Sequence, residues 1–234
     1  MSQYQKAWQD VRSRVAAAAQ AAGRDPAQIR LLAVTKGFPA DAIRATHALG
    51  QRAFGENYVQ EAAAKMRSLA DLPDIEWHLI GPLQSNKTRV AAQCFSWVHT
   101  IDRARIAARL AEALGAERAS LEVCVQVNIS GEASKSGVAP DEALALLREV
   151  AALPRLRLRG LMGISEPAPD PAVQRAQFAR LRELFTAARA AGLELDTLSM
   201  GMSADLESAI AEGATMVRVG TALFGARSSP QAVA

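Results

Sequence analysis

Lys36 is the residue whose position most directly suggests chemistry. It follows an uncharged, mostly apolar run over residues 31–35, and Gly37, Phe38 and Pro39 then interrupt the chain. A short apolar run bounded by turn signals predicts a strand buried on both faces, with Lys36 at its carboxyl end. Burial disfavours the charged ammonium form, and a neutral amine can form a Schiff base with an aldehyde. The alternative is a lysine that extends into solvent beside a loop.

A second group of residues, close to the end of the chain, is suited to binding a phosphate. Gly201 and Ser203 lie where a helix is predicted to begin, and Gly220 and Thr221 follow another apolar run. Helix N-terminal amides and the backbone N–H groups beside glycines bind phosphate dianions. Ser203 alone is also a typical helix N-cap. Its combination with Gly220 and Thr221 favours a phosphate site.

Arg218 precedes Gly220 by two residues and therefore shares its face of the predicted strand. A buried guanidinium needs an acceptor, which would be either a neighbouring carboxylate or the ring nitrogen of a bound heterocycle. Because arginine keeps its proton, it would leave that nitrogen unprotonated. An amine for an aldehyde, a phosphate site and a donor for a ring nitrogen together describe pyridoxal 5′-phosphate (PLP).

The elements that must position these residues alternate regularly along the chain. The apolar runs predict strands over 30–36, 53–57, 76–81, 97–101, 121–128, 158–164, 197–201 and 216–220, and helical patterns separate them. Such alternation predicts right-handed βαβ units and a parallel sheet, here an α/β fold closed as a (β/α)8 TIM barrel. An open, doubly wound sheet is the alternative, but no G-x-G-x-x-G follows the first strand. Residues 1–234 are predicted to be one domain, with an extra N-terminal helix over 2–22 and a frayed tail over 227–234.

The carboxyl ends of barrel strands form the active face of this fold. Polar residues that the pattern places there, each of which could alone be an ordinary loop residue, are Lys36, Asn57, His78, Asn128, Ser203 and Arg218.

Composition excludes several classes of protein. Hydrophobic residues make up 50% and charged residues 22% of the 234. The net charge is +3, and the basic residues are interspersed with acidic residues along the chain. With aromatics at only 5%, nucleic-acid binding is not expected. A polar N-terminus and the lack of an apolar run near the ~20 residues of a membrane span predict a cytoplasmic protein. Cys94 and Cys124 are expected as buried free thiols, and the histidines lack metal-ligand spacing, so no metal is expected.

Several stretches closely resemble the pyridoxal phosphate homeostasis protein family. They are residues 34–36, 54–61, 77–87, 199–203 and 217–221, and the resemblance runs from about residue 4 to residue 227. It implies a barrel like the N-terminal domain of alanine racemase, the type III fold of PLP proteins. It also implies a Schiff base on Lys36, phosphate contacts from Ser203, Gly220 and Thr221, and Arg218 at the pyridine nitrogen. Asn57, His78 and Met162 are expected near the ring. Lys135 is either a second aldehyde-reactive amine or a solvated loop lysine.

The first hypothesis is a carrier that buffers PLP without turnover and hands it to PLP-dependent apo-enzymes. No catalytic residues are then expected. The absence of an added dimerising domain favours a monomer. The alternative is an amino-acid racemase, which needs two bases. Racemising relatives take the second base, a tyrosine, from a separate β domain, and this chain has only Tyr4 and Tyr58. An arginine at the ring nitrogen also weakens the electron sink. A Schiff-base aldolase acting on a phosphorylated sugar would explain Lys36 and the phosphate site but not Arg218.

Overall fold

The fold is a closed barrel of eight parallel strands. The computed structural model describes residues 3–115, 118–130 and 136–226. Within these ranges the strands pair in chain order, and the last pairs with the first. The strands are β1 (Arg30–Val34), β2 (Ala53–Glu56), β3 (Glu76–Leu79), β4 (Trp97–Ile101), β5 (Leu121–Val127), β6 (Leu156–Gly163), β7 (Thr197–Ser199) and β8 (Met216–Val219). The predicted TIM barrel is confirmed.

Helices follow the strands and cover the outside of the barrel. They are α1 (Gln3–Ala21), α2 (Ala40–His47), α3 (Val59–Ser68), α4 (Thr88–Cys94), α5 (Ala104–Ala113), α6 (Ala143–Ala151), α7 (Pro171–Ala190), α8 (Leu206–Ala211) and α9 (Thr221–Phe224). Each strand is buried between these helices and the barrel interior, so β2, β4 and β8 are buried along their whole length. This two-sided burial is why the strands are mostly apolar rather than alternating.

Lys36 lies just beyond β1 rather than at its last position. The strand ends at Val34, and the Phe38 N–H donates to the Thr35 carbonyl at 3.0 Å to close a turn. Gly37 has a φ of 75°, a conformation that favours glycine. The turn therefore stops the strand and leaves the half-buried Lys36 at the rim of the barrel.

The extra N-terminal helix packs on the side of the barrel, against α8 and α9. Val11, Val15 and Ala19 form its buried face. Arg14 on the same helix donates to Glu207 Oε1 at 2.9 Å and to the Ser203 carbonyl at 3.1 Å. Helix α1 thus supports the loops that follow β7 and β8.

Cys94 and Cys124 are both free thiols, as predicted. Cys124 is fully buried, whereas Cys94 is only half-buried. Among the described helices, none combines the length and the apolar character needed to cross a bilayer. The predicted tail 227–234 and Lys135 lie outside the described residues.

Candidate functional site

A cavity of about 350 Å³ opens at the carboxyl ends of the strands. Six of the residues predicted from the sequence line it: Lys36, Asn57, Ser203, Arg218, Gly220 and Thr221. Apolar side chains, among them Val34, Phe38 and Ile80, complete the wall. The barrel therefore brings residues from both ends of the sequence to one place, because β8 pairs with β1.

Arg218 is held in a fixed position at the base of this cavity. Its side chain is buried, and it donates to the Ser199 carbonyl at 2.6 Å, to Ser199 Oγ at 3.1 Å and to the Gly163 carbonyl at 2.9 Å. Its described acceptors are thus neutral oxygen atoms, and not the carboxylate that the sequence left open. Burial lowers the pKa of Arg218 to about 10, so the guanidinium stays charged at neutral pH. The three contacts use three of its five N–H donors.

Ser203, Gly220 and Thr221 surround another part of the cavity. The Ser203 hydroxyl accepts a hydrogen bond from the Ala222 N–H at 3.3 Å and so links the loops after β7 and β8. The expectation that Ser203 caps its own helix is wrong, because α8 begins at Leu206 with Asp205 at the N-cap. Asp205 Oδ1 instead accepts from the Met202 N–H at 2.6 Å, which folds residues 202–205 into a turn before the helix.

The loop after β7 depends on a glycine at position 201. Gly201 has a φ of 88°, and a Cβ built there would lie 2.4 Å from Ala209 Cβ. Any side chain would therefore collide with α8 as well as strain the backbone. The absence of a side chain lets the loop turn tightly enough to place Ser203 beside β8.

Lys36 is positioned by a buried ion cluster behind it, which we name the Lys65 cluster (Thr35, Glu56, Glu61 and Lys65). Lys65 Nζ lies 2.7 Å from the Thr35 carbonyl and from one carboxylate oxygen each of Glu56 and Glu61. The Thr35 hydroxyl donates to Glu56 Oε1 at 2.7 Å. The Gly37 N–H donates to Glu61 Oε1, also at 2.7 Å. The residues before and after Lys36 are thus both tied down, which fixes the direction in which its side chain leaves the backbone.

Burial raises the pKa of Glu56, although the hydrogen bond from Lys65 opposes this shift. Glu56 is fully buried and Lys65 is 8% exposed. A buried carboxylate of this kind is stable only while its cationic partner stays in place.

His78 and Met162 lie one layer deeper than the cavity wall. Ile80 and Ile164 line the cavity immediately after the ends of β3 and β6, and the residues two positions earlier share their face. His78 and Met162 are both fully buried in the barrel interior. His78 bonds to Glu76 and His99, and Met162 packs with Trp97 and Cys124. The structure therefore places these two residues beneath the other predicted site residues rather than among them.

A second cavity of about 300 Å³ adjoins the first and shares Asn57, Ile80 and Ile164 with it. Polar residues on its other walls include Gln126, Asn128 and Ser165. Asn57 Oδ1 is buried and has no hydrogen-bond partner among the described residues. Buried polar groups are nearly always hydrogen-bonded, so Asn57 Oδ1 is available to a donor that the described residues do not supply.

A larger depression, of about 700 Å³, lies at the opposite ends of β6 and β7. Two of its charged residues pair with each other: Arg159 donates to Asp196 Oδ1 at 3.0 Å, and Arg159 also donates to Glu122 Oε2, outside the depression, at 2.8 Å. This depression is a salt-bridged surface at the amino ends of the strands, and we do not assign it to ligand binding.

Known proteins resemble this chain over nearly its whole length. The family model for the N-terminal domain of alanine racemase matches residues 8–228. A pyridoxal phosphate homeostasis protein of Pseudomonas aeruginosa is 61% identical over 217 residues, which cover 93% of each chain. The chain belongs to the pyridoxal phosphate homeostasis protein family. A second member of that family, from Escherichia coli K12, is 54% identical over 224 residues, or 93% of this chain and 94% of the relative.

A solved structure agrees with the assignment to the pyridoxal phosphate homeostasis family. PipY of Synechococcus elongatus PCC7942, with PLP bound, superposes with a TM-score of 0.79 at 42% sequence identity. The match covers 90% of this chain and all of that one. The family resemblance and the alanine racemase type of barrel predicted from the sequence motifs are both confirmed.

Three functional candidates in this homeostasis-family barrel were not found from the sequence: Lys65, His99 and Ser199. Lys65 has the i, i+4 spacing to Glu61 that suggests only a solvated helix pair. His99 and Ser199 lie on strands whose other residues are also buried. A polar side chain in a buried strand needs a hydrogen-bond partner inside the barrel. The presence of His99 and Ser199 within apolar strands could therefore have identified them from the sequence.

Proposed function

We propose that this chain binds PLP through a Schiff base on Lys36 and buffers it as a carrier in the cytoplasm, without turnover of its own. It would act as a single-domain monomer and pass PLP to PLP-dependent apo-enzymes. The observation that carries this proposal is that Lys36, Arg218, Ser203, Gly220 and Thr221 line one cavity. The bacterial relatives named for PLP homeostasis and the PLP-bound PipY structure support it.

The chemistry of the cavity wall fits the parts of PLP. Lys36 offers a primary amine, Arg218 a charged donor, and Ser203 and Thr221 two hydroxyls beside the backbone of Gly220. These groups suit an aldehyde, a ring nitrogen and a phosphate respectively. When bound, PLP supplies an electrophilic aldehyde carbon conjugated with a pyridine ring. Lys36 would contribute the nitrogen that bonds to that carbon, and the aldehyde oxygen would leave as water.

Two observations favour a carrier over a racemase. Tyr58 is 61% exposed, and the ring of Tyr4 lies 6.0 Å from that of Phe224, so both tyrosines face elsewhere. Neither of them lines the cavity. Racemisation needs a base on each face of the α-carbon, and among the described residues that line the cavity Lys36 is the one that could serve as a base. A permanently charged arginine at the ring nitrogen would hold that nitrogen unprotonated and limit carbanion stabilisation.

The proposal is tested by titrating the purified protein with PLP, recording absorbance, and reducing with borohydride before peptide mass mapping. We expect a yellow complex and a mass addition on the peptide that contains Lys36. The loaded protein is then incubated with L-alanine or L-serine in deuterated water. Deuterium uptake at an enzyme-like rate would support the racemase instead, and a colourless protein without added mass would support neither.

Arg218→Met should weaken PLP binding and change the absorption spectrum of the complex. The variant loses one hydrogen bond from a charged donor, which corresponds to about 1.5–3 kcal/mol, or roughly ten- to a hundredfold in the dissociation constant. Equilibrium titration by absorbance measures the change. Arg157→Met, which removes an exposed arginine at the far end of β6, is the matched control and should bind as the parent does. An unchanged spectrum and affinity in Arg218→Met would remove Arg218 from the ring.

Ser203→Ala should weaken binding of PLP but not of pyridoxal, which lacks the phosphate. Loss of one neutral hydrogen bond predicts roughly a three- to tenfold weaker complex with PLP. Titration with both aldehydes gives the ratio of the two affinities. Ser208→Ala removes a buried α8 hydroxyl that bonds to Gln174 and serves as the control. Equal losses for PLP and pyridoxal would place the phosphate away from Ser203.

A further inference from the structure

A continuous row of buried polar side chains runs from Arg218 down through the barrel interior. Ser199 Oγ lies 3.1 Å from Arg218 Nη1 and 2.9 Å from His99 Nδ1. His99 Nε2 lies 2.9 Å from His78 Nδ1. His78 Nε2 lies 2.7 Å from Glu76 Oε1. We name these five residues the Arg218–Glu76 network.

The donors and acceptors of the network are fixed by its two ends. Arginine only donates, so Ser199 Oγ accepts from it. The Glu76 carboxylate only accepts, so a neutral His78 and a neutral His99 each carry their hydrogen on Nε2, and His99 Nδ1 is left to accept the proton of Ser199. His99 Nε2 then donates to His78 Nδ1, and His78 Nε2 in turn donates to the Glu76 carboxylate. Every hydrogen bond therefore points the same way, from the guanidinium towards the carboxylate.

This arrangement requires both histidines to be neutral. A second proton on His78 would lie on Nδ1 and bring two N–H groups face to face across the 2.9 Å contact with His99. A second proton on His99 would lie on Nδ1, where it would face the proton that Ser199 directs to that nitrogen. Burial lowers the pKa of His78 to about 4, and burial is also the main reason that the pKa of His99 lies well below its usual value. Trp97 stacks on the His78 ring at 5.3 Å and helps to hold its orientation.

Glu76, at the other end of the network, is an ionised carboxylate held by Arg30. Burial opposes ionisation of Glu76, but hydrogen bonds from His78 and Arg30 outweigh it and lower its pKa to about 2. Arg30 Nη1 lies 2.7 Å from Glu76 Oε1. The network thus joins an ionised carboxylate at the amino ends of the strands to the buried cation beneath the cavity.

We propose that Ser199, His99 and His78 are positioning residues that orient the Arg218 guanidinium towards the ring nitrogen of a bound pyridine aldehyde. This inference rests on the proposed function. A guanidinium donates in its own plane, so its direction decides whether the remaining N–H groups reach a ring nitrogen. Ser199 contacts Arg218 through both its carbonyl and its hydroxyl, and the histidines fix the direction in which that hydroxyl points.

The first test uses the ligand-free protein. Nitrogen-15 NMR of labelled histidine should show His78 and His99 as neutral rings with hydrogen on Nε2, unchanged between about pH 6 and about pH 8. His47, which bonds to Asp74 on the surface, provides an internal reference. A doubly protonated ring, or hydrogen on Nδ1 of either buried histidine, would overturn the directed network.

The second test is a double-mutant cycle on PLP affinity. His99→Leu should weaken PLP binding about tenfold, as expected for one misplaced hydrogen bond to a charged group. In an Arg218→Met background the same change should add less than about twofold, because the two residues act together. His99→Gln, whose amide can both accept from Ser199 and donate to His78, should restore most of the affinity. Thr197→Val, which removes another buried β7 hydroxyl, is the control.

The outcomes separate this inference from the function on which it rests. If the parent protein binds no PLP, both are overturned. If the parent binds PLP and the His99→Leu variant binds it equally well, only the positioning role is overturned. The same holds if His99→Leu weakens binding by the same factor in the parent and in the Arg218→Met variant. If His99→Leu does not fold, Ser199→Ala, which deletes a single hydroxyl, replaces it in the double-mutant cycle on PLP affinity.

Discussion

Lys36→Ala should abolish the covalent capture of PLP while leaving the barrel folded. The side chain lies in the turn beyond β1 and takes no part in the packed layers, so its removal leaves the hydrophobic core intact. Borohydride treatment of the PLP-loaded variant should give no added mass, and the yellow absorbance should be lost. Circular dichroism and the thermal midpoint should match those of the parent.

Lys6→Ala, which removes an exposed lysine from α1, is the matched control and should react as the parent does. Peptide mapping also distinguishes Lys36 from Lys135, the other lysine considered as an aldehyde-reactive amine. Absorbance of undiminished intensity at the same wavelength in Lys36→Ala would exclude Lys36 as the attachment point.

Lys65→Met should cause the largest loss of stability. The substitution removes the cation from the Lys65 cluster and leaves the Glu56 carboxylate buried without a charged partner. Breaking a buried ion pair in this way costs about 3–5 kcal/mol of unfolding free energy. Chemical denaturation monitored by circular dichroism measures it. Because the cluster ties down Thr35 and Gly37, PLP capture by Lys36 should also become weaker.

The double variant Lys65→Met/Glu56→Gln separates charge from packing. It removes the orphaned charge and should recover much of the lost stability. In Lys65→Met, the pKa of Glu56 should rise further, because its burial is no longer opposed by the lysine. A raised acid pKa favours the folded state at low pH, so the deficit of Lys65→Met should shrink from about pH 8 to about pH 5. A deficit that is independent of pH, or a double variant no more stable than the single one, would contradict this account.

The sequence predicts the fold and much of the cavity because both depend on local patterns. Short apolar runs bounded by turn residues identify the strands, and their regular spacing predicts the barrel. Lys36 and Arg218 stand out because a charged residue within an apolar run, or directly after one, is unusual. Closure of the sheet then brings them together, although they are far apart in the chain.

Depth inside the barrel cannot be predicted in the same way. Alternation along a strand indicates which face a side chain occupies, but not how far below the rim it lies. His78 and Met162 were expected near the ring, and the structure places each of them one layer below the cavity wall. Ser203 was similarly expected to cap α8, because the turn formed by Asp205 depends on a side-chain contact that propensities do not encode. The pairing of His99 with Ser199 spans 100 positions and depends on the closed sheet.

The position of α1 bears on attempts to reduce this protein to a minimal barrel. A polypeptide that begins at Arg30 would keep all eight strands. It would lose Arg14, which donates to the Ser203 carbonyl, and Tyr4, whose ring packs near that of Phe224. Deleting α1 would therefore destabilise the loops after β7 and β8, which are proposed to face the phosphate. In this architecture, a helix that precedes every strand of the barrel is a structural part of the loops that follow the last two strands.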